Sequence, residues 1–303
     1  MESAGPESVL EAFGLRHVRY SPLDPRGHPW LIETDDWQAV LRRSRAGFKH
    51  VQWLHRFLAR LAAAEFPAPR PMPLLGGASL ALLGGTVWEV LSLLPGKRLV
   101  WTPTVPLESA GALLARFHLA SLTFSPAEQR PEALPLDQCH PVAAQSIARS
   151  FHEDLADVGY FHTTWCVLHG DCTSANMLID EQKREVVAMI DFELAHMGPP
   201  EADISFALWV IGRTEQPAVT LDDDRIRAFV KGYHKVRALP ATVVRAIPLY
   251  LVGRGLQMHV RMERVGRADE IQMQRLRWLH THRPTLEDVV ASALEAGASS
   301  TGA

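Results

Sequence analysis

Apolar residues recur along this chain with two different periods, and the changeover comes about a third of the way in. In the first part, short runs at residues 17–20, 30–33, 38–43, 74–83 and 86–92 read as strands. Gly84-Gly85 supplies the tight turn between the last two. A short helix at 7–15 precedes the strands. A longer one at 49–64 interrupts them, with Val51, Leu54, Leu58 and Leu61 at helical spacing before Pro67-Ala-Pro69. Pro95-Gly96 marks a boundary, dividing the chain into residues 1–94 and 95–303. Beyond it Thr104 and Pro106 announce a helix whose inner stripe is Leu107, Ala110, Leu114, Phe117 and Ser121. Further helices are expected at 141–159, 204–211, 222–236, 240–264, 269–282 and 285–295. The pattern predicts an α+β chain, β-rich first and mostly helical afterwards.

One stretch in the helical part breaks the helical period. Cys166, Val167 and Leu168 stop at a His169-Gly170-Asp171 turn, and a short apolar run, Met177 to Ile179, leaves it. Asp180 to Arg184 is polar and Val186 to Ile190 runs back apolar, which reads as a β-hairpin. If the reversal centres near Arg184, Met177 lies opposite Asp191, and Asn176 and Asp191 share the open end of the hairpin. A carboxylate and an amide oxygen there, beside Asp171, suit a hard cation such as Mg²⁺ carrying a phosphate.

H-G-D-x4-N, then a strand and I-D-F-E, resembles the catalytic core of the aminoglycoside phosphotransferase and choline kinase group, small-molecule relatives of protein kinases. The resemblance implies a two-lobed protein-kinase-like fold that moves the γ-phosphoryl of ATP, or less favourably GTP, to a hydroxyl of a small molecule. It makes Asp171 the base that orients that hydroxyl, and His169 the residue that holds Asp171 by bonding loop backbone. Asn176 and Asp191 become the Mg²⁺ ligands. Arg42, on the third strand, becomes the cation that grips the α- and β-phosphates; Arg43 points to the opposite face. Adenine would bond main-chain groups around Glu89, Val90 and Leu91, where the fifth strand enters the hinge. The loop holding Gly27 would cover the phosphates, and the loop from Ser125 to Pro141 would overhang the acceptor. Leu-Ala-Arg-Phe-His118 is similar to the family's L-A-x-x-H and makes His118 a buttress of the catalytic loop. Gly198 to Asp203 is similar to its G-x4-D, with Asp203 either an N-cap or a brace of that loop. Glu193 reaches a second metal shell or stands exposed.

One departure matters. The helix that usually gives a glutamate to the phosphate-pairing residue has no acid between Ser44 and Ala64. Gln52, His50 and His55 are its polar substitutes, or else simply exposed positions.

Composition narrows the partners. A net charge of −3 predicts neither nucleic-acid nor membrane-surface binding, and no apolar run is long enough for a membrane span. Cys139, Cys166 and Cys172 form no CxxC, which fits a reduced, cytoplasmic setting, and Cys172 reads as a loop filler. The start carries no signal-peptide pattern. Basic residues outnumber acids across 220–290. That balance disfavours a polycationic acceptor and suits one bearing a carboxylate or phosphate. The alternative is that Arg261, Arg264, Arg267, Arg275 and Arg277 form solvated helix faces. A homoserine, choline, methylthioribose or sugar kinase on the same fold, or a non-catalytic nucleotide-binding protein, remain as alternatives. The protein is expected as a monomer or homodimer.

Overall fold

A computed structural model of the chain describes residues 6–24, 28–73, 77–99, 106–122, 124, 141–158, 165–214, 218–267 and 270–298. The expected phosphate loop at Gly27, most of the expected overhanging loop (125–140) and Cys139 lie outside them. The chain divides into two compact units. One is formed by Met1–Pro95 together with Ala188–Glu193, the other by most of the chain from Gly96 onward.

The first unit runs α1 (Pro6–Ala12), β1 (Arg19–Pro22), β2 (Trp30–Glu33), β3 (Gln38–Ser44), α2 (Phe48–Ala63), β4 (Leu80–Leu83) and β5 (Thr86–Ser92). The strands form one antiparallel sheet in the order β1-β2-β3-β5-β4. Alternation along β5 divides its side chains between two faces. Trp88 and Val90 join Ile32, Ala39 and Leu41 in a core with Val9, Leu10, Phe13 and Leu15. Glu89 points the other way, toward α2. That helix buries Val51, Trp53, Leu54, His55, Phe57, Leu58 and Leu61. Phe57 meets Phe192 edge-on at 6.4 Å, and Met189 N–H donates to the Pro67 carbonyl at 3.1 Å. Those contacts tie the distant Ala188–Glu193 segment into this unit. Of the expected strand at 74–83, Leu80–Leu83 form β4 and residues 74–76 lie outside the described residues, while Pro71 makes a single bridge to Leu91.

The second unit contains β6 (Lys97–Arg98), α3 (Leu107–Ser121), α4 (Gln145–Val158), β7 (Cys166–Leu168), β8 (Met177–Asp180), β9 (Glu185–Met189, whose last two residues belong to the first unit) and β10 (His196–Gly198). Helices α5 (Pro200–Ile211), α6 (Asp223–Val236), α7 (Val243–Arg264), α8 (Glu270–Thr281) and α9 (Arg283–Ala298) follow. β6, β8 and β9 form one small sheet and β7 pairs with β10. Both β6 and β10 were unannounced in the sequence, being only two or three residues long. α3 and α6 cross at paired glycines. A Cβ on Gly111 would lie 2.0 Å from the Phe229 carbonyl oxygen, and one on Gly232 would lie 2.0 Å from that of Glu108. Among the described residues no helix is long and apolar enough to cross a membrane.

Candidate active site

The turn between β7 and β8 is built around buried polar groups. Gly170 has φ 74°, and a Cβ there would sit 2.3 Å from the Leu194 carbonyl oxygen, so only glycine lets the turn close. His169 is fully buried, and its Nδ1 accepts the Asp171 N–H at 3.2 Å. It therefore stands behind Asp171 as a positioning residue, out of reach of a substrate. Asn176, in a 3₁₀ turn at Ser174–Asn176, donates from Nδ2 to the Asp171 carbonyl and to its Oδ2, both at 2.9 Å.

Asp203 carries the turn from below. Its Oδ2 accepts the His169 N–H at 2.6 Å and its Oδ1 the Gly170 N–H at 3.0 Å. It is no N-cap: Pro199 holds that position, and Asp203 lies in the first turn of α5. Further back, His118 Nε2 lies 3.2 Å from Asp203 Oδ2, and His118 Nδ1 lies 2.8 Å from the Tyr233 hydroxyl. Arg237 Nη1 donates to that hydroxyl at 3.2 Å. One proton arrangement satisfies the whole chain: Arg237 donates to Tyr233, Tyr233 to Nδ1, and Nε2–H to Asp203. Burial pushes the His118 pKa down against the opposing pull of Asp203, so the ring stays neutral. Burial alone would raise the Asp203 pKa, but its bonds to His118 and to the His169 N–H hold it below the ordinary value.

The first unit holds a second constellation, around Arg42. Arg42 and Glu89 are direct cross-strand partners in β3 and β5. Arg42 Nε donates to Glu89 Oε1 at 2.7 Å and Nη1 to Asp191 Oδ1 at 2.8 Å. His55 from α2 bonds the other Glu89 oxygen at 2.8 Å through Nε2, and Ser79 Oγ at 2.9 Å through Nδ1. The acid absent from the helix is thus supplied by a strand, and the helix contributes a histidine that steadies it. Burial opposes charge on both partners, yet attraction to Glu89 and Asp191 raises the Arg42 pKa, and Arg42 with His55 lowers that of Glu89. Asp191 has φ 64°, a left-handed conformation that a non-glycine residue adopts at some strain, and its side chain is partly open to solvent. Glu193 clamps the turn after β3. Its Oε1 accepts Ser44 Oγ at 2.7 Å, Ala46 N–H at 2.8 Å and also the Arg45 N–H, and its carbonyl lies 3.0 Å from His50 Nε2.

The adenine expectation at Glu89, Val90 and Leu91 meets an obstacle. The main chain of β5 is bonded along both edges: Val90 N–H donates to Ser79, Val90 C=O accepts from Met72, and Ser92 N–H donates to Arg70. The Glu89 side chain belongs to Arg42. Of the basic residues expected on solvated faces, Arg275 is buried with Nε donating to the Ala218 carbonyl at 2.6 Å, while Arg261, Arg264, Arg267 and Arg277 are exposed. Cys172 is completely buried, and burial pushes its thiol well above the ordinary value, which removes it as a nucleophile. Among the described residues no cluster of three or more His, Cys, Asp or Glu could hold a metal alone. One carboxylate (Asp191) and one amide oxygen (Asn176) are all-oxygen donors. Each is the kind of oxygen donor that Mg²⁺ takes, a cation that binds through few protein groups and completes its shell with phosphates and water.

The profile of the phosphotransferase enzyme family matches residues 27–239, and the chain belongs to that family. It is 29% identical over 192 residues to a homoserine kinase of Methylobacillus glycogenes, a match covering 60% of this chain and 58% of that protein. It is 26% identical over 248 residues to the homoserine kinase of Acidiphilium cryptum, covering 73% and 72%. Among solved structures, the amicoumacin kinase hAmiN in complex with AMP-PNP, Ca²⁺ and Ami superposes with a TM-score of 0.70 over 94% of both chains at 14% identity, which establishes the kinase-like α+β fold.

Proposed function

We propose that this protein transfers the γ-phosphoryl group of ATP to a hydroxyl of a small molecule. The single observation that carries the reading is Asp171, whose carboxylate takes a hydrogen bond from Asn176 while His169 and Asp203 hold the backbone of its turn. ATP with Mg²⁺ would supply an electrophilic phosphorus whose developing charge the cation offsets. Asp171 accepts a hydrogen bond from the acceptor hydroxyl and aims its oxygen, a task that needs position more than basicity. Asn176 and Asp191 offer the oxygens for the cation. Arg42 is kept charged and aimed by Glu89, with guanidinium N–H groups left over for phosphate oxygens. The structural neighbour with AMP-PNP and Ca²⁺ supports nucleotide and divalent-cation use.

Two homoserine kinases among the relatives favour an amino-acid-sized acceptor as the particular reading. The rival reading, a nucleotide-binding protein without catalysis, drew on the missing helix acid; Glu89 supplies that acid and takes away its motive. The protein is proposed to act in the cytoplasm. Release of ADP is the test, over a panel of amino acids, amino alcohols, sugars and aminoglycosides. Turnover with any one of them, abolished in Asp171→Asn, supports the proposal. Nucleotide binding with no turnover across the panel refutes it.

A further inference from the structure

We infer that Arg254 anchors a carboxylate of the acceptor, so that the protein selects molecules carrying a hydroxyl and a carboxylate together. The inference rests on the kinase reading above and adds the substrate class. Arg254 lies on the one partly open stripe of α7, where Arg254, Gln257, Met258 and Arg261 follow at helical spacing while Leu251, Val252, Leu256 and Val260 are buried. The stripe holds two cations and no acid.

The position of Arg254 is fixed by packing. Its Cζ sits 3.9 Å from the centroid of the Phe206 ring. Phe206 is three residues after Asp203 on α5, and Asp203 holds the backbone of His169 and Gly170. The stack therefore sets the guanidinium beside the catalytic turn. Asp171 and Asp203 are the carboxylates that act on it. Asp203 is already engaged by two N–H groups and His118, and Asp171 faces the acceptor hydroxyl in this scheme.

The donors of Arg254 are under-used. Nη1 makes one long bond, 3.3 Å, to Gln257 Oε1. Nε is buried and has no hydrogen-bond partner among the described residues. Burial and the like charge of Arg261 pull its pKa down to about 10, which still leaves it charged at neutral pH. A buried cation with idle donors is costly unless something pairs with it. A guanidinium seated over a ring presents coplanar N–H groups along its edge, the match for a planar carboxylate.

The test uses the full chain with L-homoserine and L-threonine against their reduced counterparts, 2-amino-1,4-butanediol and threoninol, which keep the hydroxyl and lose the carboxylate. Turnover is read as ADP release and binding by calorimetry in the presence of AMP-PNP and Mg²⁺. The wild type is expected to prefer at least one hydroxy acid over its diol by about 100-fold. Arg254→Gln should lose about 100-fold in kcat/KM on that acid, mainly through KM, and stay within about threefold on the diol with an unchanged KM for ATP. Arg254→Lys, keeping the charge without the fork, should recover about tenfold of that loss. Equal losses on acid and diol would assign Arg254 a general structural role and overturn the inference. So would calorimetry showing no carboxylate preference in the wild type. Carboxylate binding that depends on Arg254, without turnover of any acceptor, would uphold the anchor and refute the kinase reading.

Discussion

Arg42 and Glu89 face each other across β3 and β5 with 2.7 Å between guanidinium and carboxylate, and the same arginine reaches Asp191 from that position. A strand acid is more rigidly held than one on a helix that can swing, since its backbone is bonded on both edges. In this chain Arg42 is set by the sheet itself, with His55 as the link from Glu89 to α2.

Glu89→Gln should therefore act on nucleotide use before anything else. A neutral amide leaves Arg42 largely buried with half its charge partners, and removing one member of a buried pair typically costs about 3–5 kcal/mol. The expected result is a fall of about 100-fold in kcat/KM for ATP with a lowered Tm. Arg43→Ala, an exposed position near the end of β3, serves as the control and should stay within about threefold.

Glu193→Gln tests the clamp on the turn after β3. It weakens bonds to Ser44, Arg45 and Ala46 at once, each charge-assisted. A loss of about 1–3 kcal/mol in unfolding free energy is expected from denaturant titration. The KM for ATP should rise with it, because the same turn ends the strand that carries Arg42.

The His118–Asp203 pair predicts an acid-sensitive fold. The folded pKa of His118 lies below its ordinary 6.5, so the unfolded chain binds the extra proton first. Stability is then complete above about pH 6.5 and drains as the pH falls from there toward the folded value. Asp203, depressed below its ordinary 3.8, adds stability that is lost only under more acid conditions. Urea titrations at pH 7.5, 6.5 and 5.5 should show the decline in the wild type and a flatter profile in His118→Gln. An identical slope in both proteins contradicts the assignment.

Gly111→Ala probes the close crossing of α3 and α6. The added methyl would lie 2.0 Å from the Phe229 carbonyl oxygen, so the helices must part. We expect a cost of about 3 kcal/mol or more, read as a lowered Tm. Gly47→Ala, whose Cβ would meet nothing within 4 Å, should change stability by about 0.5 kcal/mol or less.

The turn at His169 was legible because it is local: His169, Asp171 and Asn176 lie within eight residues, and hydrogen bonds join them. Strand alternation put Arg42 and Arg43 on opposite faces, and Arg42 is the one that bonds Glu89 and Asp191. The pairing of the Glu89 side chain with Arg42 was not foreseen, because the two lie 47 residues apart and cross-strand register between distant strands leaves no mark in a local pattern. A signal was present, however. Glu89 is a single acid inside the apolar run Val87 to Leu91, and a buried carboxylate demands a cation. His55 was readable in the same way, falling on the stripe of Val51, Leu54 and Leu58, the inner face of its helix. Arg254 carried no such mark, since its meaning comes from Phe206 on another helix.

The most direct test of the account is ADP release with Mg²⁺ and ATP, measured across the acceptor panel for the wild type and Asp171→Asn at matched folding. The account predicts acceptor-dependent turnover in the wild type that falls by about 1,000-fold or more in Asp171→Asn, while nucleotide affinity stays within about threefold. Acceptor-dependent turnover that persists in Asp171→Asn would contradict it.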